Sequence, residues 1–153
     1  WSSDVCSSDL FNMTFESGAI GTIVVSRVAF GLPNSMEFDV FGTQGRASFD
    51  LARSGEIIVD DTSTPEGFSG PRQVLSNPTF PYYKGGSSMD FAGVGSTQIE
   101  QFTYQARAFL DQVLGLDEGF PLVPSFAHGY RTMCIADAVA RSAAAGGKTI
   151  DLT

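Results

Sequence analysis

Residues 36–51, with the sequence MEFDVFGTQGRASFDL, contain the pattern that decides the fold. On both sides of the turn Gly42-Thr43-Gln44-Gly45, apolar side chains occupy every second position. This alternation is typical of half-buried β-strands, and so short a connection can only join antiparallel neighbours. The stretch therefore predicts two adjacent strands, Ser35–Phe41 and Arg46–Leu51, in an antiparallel sheet.

The flanking sequence extends this meander in both directions. Alternating segments bounded by turn residues predict these further strands: Phe11–Glu16 and Ala19–Ala29 (a hairpin around Ser17-Gly18), Glu56–Asp60, Arg72–Leu75 and, at the end of the chain, Lys148–Leu152. In Ala19–Ala29, Ile20 and Val24 point to one face while Ile23 and Val25 point to the other. Since both faces are partly apolar, neither is expected to be fully exposed to water.

Two helices are predicted in the second half of the chain. The first has an apolar stripe at helical spacing, formed by Ile99, Phe102, Ala106, Phe109, Leu110, Val113 and Leu114. Ser96 or Thr97 would cap its start with Glu100 in a capping box, and Gly115 would end it. The second helix is expected from about Ser125 to Ala145. The predicted fold class is α+β, a predominantly antiparallel β-sheet with helices packed on one face.

Residues 76–96 are rich in Gly, Pro, Ser and Tyr and show no clear periodicity. A loop of this length in a compact domain is often a lid or a binding loop. The alternative is an ordinary surface excursion, and the composition does not distinguish the two.

The composition of the chain limits the classes of function that it can have. The chain of 153 residues is sufficient for one domain of ordinary size, and 17 acidic against nine basic residues give a net charge of −8. This acidity argues against nucleic acid and anionic membrane surfaces as partners. Charged residues make up only 17% of the chain, which suggests that part of the surface is normally covered. Two cysteines and no secretion signal favour a reducing cytoplasm.

The first ten residues, WSSDVCSSDL, show neither periodicity nor a signal peptide. They closely resemble the translation of a common sequencing-library adapter. We therefore expect residues 1–10 to be a non-native segment and residues 11–153 to be the domain, with a disordered Ser/Asp-rich terminus as the alternative.

Three segments resemble the C-terminal domain of the glucose–fructose oxidoreductase, inositol dehydrogenase and MocA (Gfo/Idh/MocA) family. They are ESGAIGTI at 16–23 followed by Ser26-Arg27, FDVFGTQGRA at 38–47, and Phe109-Leu110 followed by PSFAHGYR at 124–131 and DAVARSA at 137–143. Each is ordinary on its own, but their order and spacing together cover nearly all of residues 11–152.

The resemblance implies a substrate-binding and oligomerisation domain that follows a Rossmann domain. In such enzymes NAD or NADP exchanges a hydride with a sugar, a polyol or a related hydroxy or keto compound. The family's catalytic Lys and His lie in parts that this sequence does not contain, and no Gly-x-Gly-x-x-Gly motif follows a strand here. We therefore expect no catalytic or cofactor-binding residue in this chain and no nicotinamide binding by the chain alone.

Few residues are candidates for binding substrate. Lys84 and Tyr83 lie in the long loop and could reach a sugar hydroxyl, although a solvated Lys is the simpler interpretation. His128 falls in the first turn of the last helix, where a structural role is favoured over a catalytic one. Asp60-Asp61 lacks a third metal ligand at suitable spacing, and Cys134 is interpreted as a small buried side chain.

Two functions of different classes remain. The chain is either part of an NAD(P)-dependent oxidoreductase or a non-catalytic binding or oligomerisation module that uses an open sheet face. In both cases two helices cover only one face of so wide a sheet. The second face, with Ile23, Val25, Phe41 and Ser48, is predicted to pack on an equivalent sheet in a homo-oligomer.

Overall fold

The computed structural model describes residues 8–32, 34–65, 67–80, 92–93, 95–116 and 123–152. The elements, in chain order, are β1 (Ser8–Thr14), β2 (Ile20–Ser26), β3 (Glu37–Gly42), β4 (Gly45–Asp50), a 3₁₀ helix (Leu51–Arg53), β5 (Glu56–Asp61), β6 (Arg72–Leu75), α1 (Gln98–Leu114) and α2 (Phe126–Ala144). Antiparallel strands with two helices confirm the predicted α+β class.

The chain divides into two compact units. One comprises residues 1–33 and 124–153 and contains the hairpin β1-β2 and helix α2. In the hairpin, Phe11 pairs with Ile23 and Leu10 pairs with Val24. The other unit, residues 34–123, contains a four-stranded antiparallel sheet in the order β3-β4-β5-β6 and helix α1.

Register separates the four-stranded sheet into two chemically different faces, since directly opposed residues share a face. The mainly apolar face carries Phe38, Val40, Ala47, Phe49, Ile57, Val59 and Val74, with the charged residues Asp61 and Arg72 beside them. Its best-defined contact joins the rings of Phe38 and Phe49, whose centroids lie 5.5 Å apart. The acidic face carries Glu37, Asp39, Asp50, Glu56 and Asp60, with Arg46, Phe41, Ser48, Ile58, Gln73 and Leu75 among them.

The prediction of a single continuous meander is wrong, because the described strands form two separate sheets. Residues 27–36 connect β2 to β3, and a connection of this length does not impose pairing as a two-residue turn does. The hairpin also begins at Ser8 rather than Phe11, so Ser8, Asp9 and Leu10 pair with β2.

The predicted strand Lys148–Leu152 is also wrong, since these residues form no regular secondary structure. A segment becomes a strand only where a neighbouring edge takes up its backbone hydrogen-bonding groups. Here the Lys148 carbonyl instead accepts a hydrogen bond from the Ser142 hydroxyl at 2.7 Å.

Both helices begin and end as their sequence signals predict. Thr97 and Glu100 form the capping box of α1, and Gly115 ends it in the left-handed conformation with φ 67°. Ser125 caps α2, with His128 as the reciprocal partner. No described helix is both long and apolar enough to span a membrane.

The buried residues of α1 are not those of its apolar stripe. They are Tyr104, Ala108 and Asp111, while the stripe residues from Ile99 to Leu114 are exposed. Across the described residues only three apolar side chains are buried, those of Tyr104, Ala108 and Ala138. Hydrophobic periodicity therefore identified an amphipathic helix correctly, but it did not identify what covers its apolar face.

Candidate functional site

The long loop after β6 leaves and rejoins the fold at one point, which we call the loop base and define as Ser54, Gly55, Ser76, Gly93 and Gly95. The Ser76 N–H donates to the Gly55 carbonyl at 2.8 Å, and the Gly93 N–H donates to the Ser76 carbonyl at 2.7 Å. These bonds hold residues far apart in sequence against the turn before β5. Both ends of the loop are therefore fixed to the same turn.

Glycine is needed at the loop base because the backbones approach closely. A Cβ added to Gly55 would lie 2.5 Å from the Gly93 carbonyl oxygen and 2.9 Å from the Gly95 nitrogen. A Cβ added to Gly95 would collide with the Ser54 hydroxyl, which donates to the Ser96 carbonyl at 3.1 Å. Ser76 is itself only 8% exposed. No local sequence pattern identifies these residues, since their contacts are non-local.

Two of the predicted substrate-binding residues, Tyr83 and Lys84, lie outside the described residues. The structure describes the base of their loop, at Ser76 and Gly93. Their binding role stays a prediction.

The third predicted residue, His128, lies at the start of α2 in an exposed position. Its Nδ1 lies 2.9 Å from the Ser125 hydroxyl oxygen and 3.4 Å from the Ser125 backbone nitrogen. The His128 N–H in turn donates to the Ser125 hydroxyl at 3.4 Å. These contacts explain the presence of His128 by helix capping, and a role in binding substrate stays a prediction.

Further along α2 the polar contacts lie within the helix itself. Asp137 pairs with Arg141 at 2.8 Å, as their spacing predicts. A hydrogen bond with the Cys134 thiol raises the pKa of the Tyr130 hydroxyl above its ordinary value. Cys134 is half-buried. Such contacts stabilise the helix.

Asp61 is occupied by side chains of its own loop. It accepts hydrogen bonds from the Ser63 N–H at 2.9 Å and from the Ser63 hydroxyl, and it pairs with Arg72 at 2.5 Å. The Ser63 hydrogen bonds, with the Arg72 charge contributing, hold the pKa of Asp61 below its ordinary value. In the part of the chain that is described, no three His, Cys, Asp or Glu side chains are grouped to hold a metal ion.

Comparison with known proteins shows what this chain is similar to. No protein-family model matches the sequence. Levoglucosan dehydrogenase of Pseudarthrobacter phenanthrenivorans is 31% identical over 141 residues, which are 92% of this chain and 35% of that protein. The chain thus spans about a third of the length of this relative.

Solved structures show the same relationship. Levoglucosan dehydrogenase in complex with NADH and levoglucosan superposes with a TM-score of 0.75 at 31% identity, over 88% of this chain and 35% of that one. An NAD-binding oxidoreductase from Klebsiella pneumoniae gives a TM-score of 0.74 at 25% identity, over 86% of this chain and 34% of its own. An oxidoreductase domain protein from Kribbella flavida gives a TM-score of 0.71 at 28% identity, over 89% of this chain and 34% of that one.

Proposed function

Since this chain is a domain-sized homologue of the Gfo/Idh/MocA-type oxidoreductases that include levoglucosan dehydrogenase, we propose that it is the C-terminal, substrate-binding part of an NAD(P)-dependent enzyme. The whole enzyme would transfer a hydride between the nicotinamide and a sugar, polyol or related hydroxy or keto compound. The observation that carries the proposal is 31% identity over 92% of the chain to a sugar dehydrogenase.

The described residues indicate which part of the enzyme binds the cofactor and which part binds the substrate. Among the described elements, β6 and α1 are separated by residues 76–97 rather than by the short glycine-rich turn with which a Rossmann domain cradles a pyrophosphate. The proposal therefore places NAD or NADP, together with the catalytic Lys and His, in the remaining two thirds of a longer protein. Lys84, Tyr83 and His128 are proposed to contact the sugar hydroxyls from this domain.

The exposed apolar surface supports the view that the chain is one part of a larger molecule. Large side chains such as Phe126 and Ile99 are 101% and 78% exposed, while only three apolar side chains are buried among the described residues. Monomers seldom leave apolar surface of this extent in water. We propose that the ten N-terminal residues are foreign to the natural protein. The free thiol of Cys134 is consistent with the reducing cytoplasm that we propose for it.

We also propose that the protein is a homo-oligomer that associates through the sheet. For the four-stranded sheet, packing two copies through Phe41 and Ser48 would bring the five carboxylates of one acidic face against the same five of the other. Like charges opposed in an interface are unfavourable. The contact is therefore placed on the hairpin, where Ile23 and Val25 share a face and Val25 is 50% exposed.

Sequencing the natural gene upstream of Phe11 tests the proposed function. A strand followed by Gly-x-Gly-x-x-Gly, roughly a hundred or more residues earlier, is expected. An in-frame start codon close to Phe11 would instead favour a non-catalytic module.

A further inference from the structure

We draw no further inference here: the strongest candidate, the acidic face of the four-stranded sheet around Arg46, whose guanidinium carbon lies 5.9 Å from the centroid of the Phe41 ring, is a cluster of acidic side chains at which nothing among the described residues indicates a ligand.

Discussion

Replacing Gly55 by alanine is expected to destabilise the loop base without affecting any other part of the fold. Gly55 does not have a positive φ, so alanine meets no backbone strain there. The new methyl group would nevertheless lie 2.5 Å from the Gly93 carbonyl oxygen, 2.9 Å from the Gly95 nitrogen and 3.1 Å from the Gly93 carbonyl carbon. All three atoms belong to the backbone and cannot rotate away.

The size of the effect follows from these distances. Ordinary contacts of a Cβ atom begin near 3.4 Å, so the backbone at Gly93 must retreat by roughly 1 Å, and overpacking of this kind costs about 1–3 kcal/mol. The movement also stretches the Ser76–Gly55 and Gly93–Ser76 hydrogen bonds. In a chain of 153 residues such a loss lowers the melting temperature by roughly 3–10 °C.

Thermal unfolding followed by circular dichroism measures this change, and Gly129→Ala is the matched control. Gly129 lies in α2, and a Cβ added there meets nothing within 4 Å. The control should therefore raise stability by about 0.5–1 kcal/mol, since alanine is the better helix former. If Gly55→Ala left the melting temperature unchanged, or raised it as the control does, the close approach at the loop base would be refuted.

Further predictions concern the caps, the charges and the proposed partners. Ser125→Ala should cost about 1 kcal/mol of stability by removing the cap of α2, as urea unfolding would measure, and an unchanged midpoint would contradict the capping role. Asp61→Asn should lower stability at neutral pH. The pKa of the Asp61 carboxyl is lowered in the folded state, so the ionised carboxylate stabilises the fold at any pH above its ordinary pKa of 3.8. This stabilisation is lost as the pH falls through the pKa of the folded state. The stabilities of parent and variant should therefore converge in acid. Calorimetric titration of the isolated chain with NAD and NADP should detect no binding, and a micromolar dissociation constant would refute the proposed division of labour. Ile23→Lys should abolish self-association seen by light scattering, whereas a strictly monomeric parent chain would count against the proposed homo-oligomer.

Local patterns predict the individual elements well and their surroundings poorly. The alternation around Gly42–Gly45 places β3 and β4 within two residues of the observed bounds, and Thr97, Glu100 and Gly115 place the ends of α1. These signals succeed because turn and cap geometry depends on neighbours in sequence. Neither signal carries information about what lies across from an element.

The errors have the same origin. Lys148–Leu152 alternates like a strand but finds no partner edge among the described residues. The stripe of α1 has the right period, yet Tyr104, Ala108 and Asp111 are the buried residues. The loop base went unrecognised because its hydrogen bonds join Gly55, Ser76 and Gly93 across long sequence separations. Of the predicted substrate contacts only His128 is described, and its geometry is that of a cap.

The hydrogen bond from the Gly93 N–H to the Ser76 carbonyl also bears on how much the length and sequence of the loop between them can vary. The two ends of the loop are tied to each other and to Gly55, so the loop is closed at its base. Doubling the length of such a loop costs only about 0.6 kcal/mol in closure entropy. A segment of different length or sequence can therefore replace the residues between Ser76 and Gly93 while the sheet and the helices stay as they are.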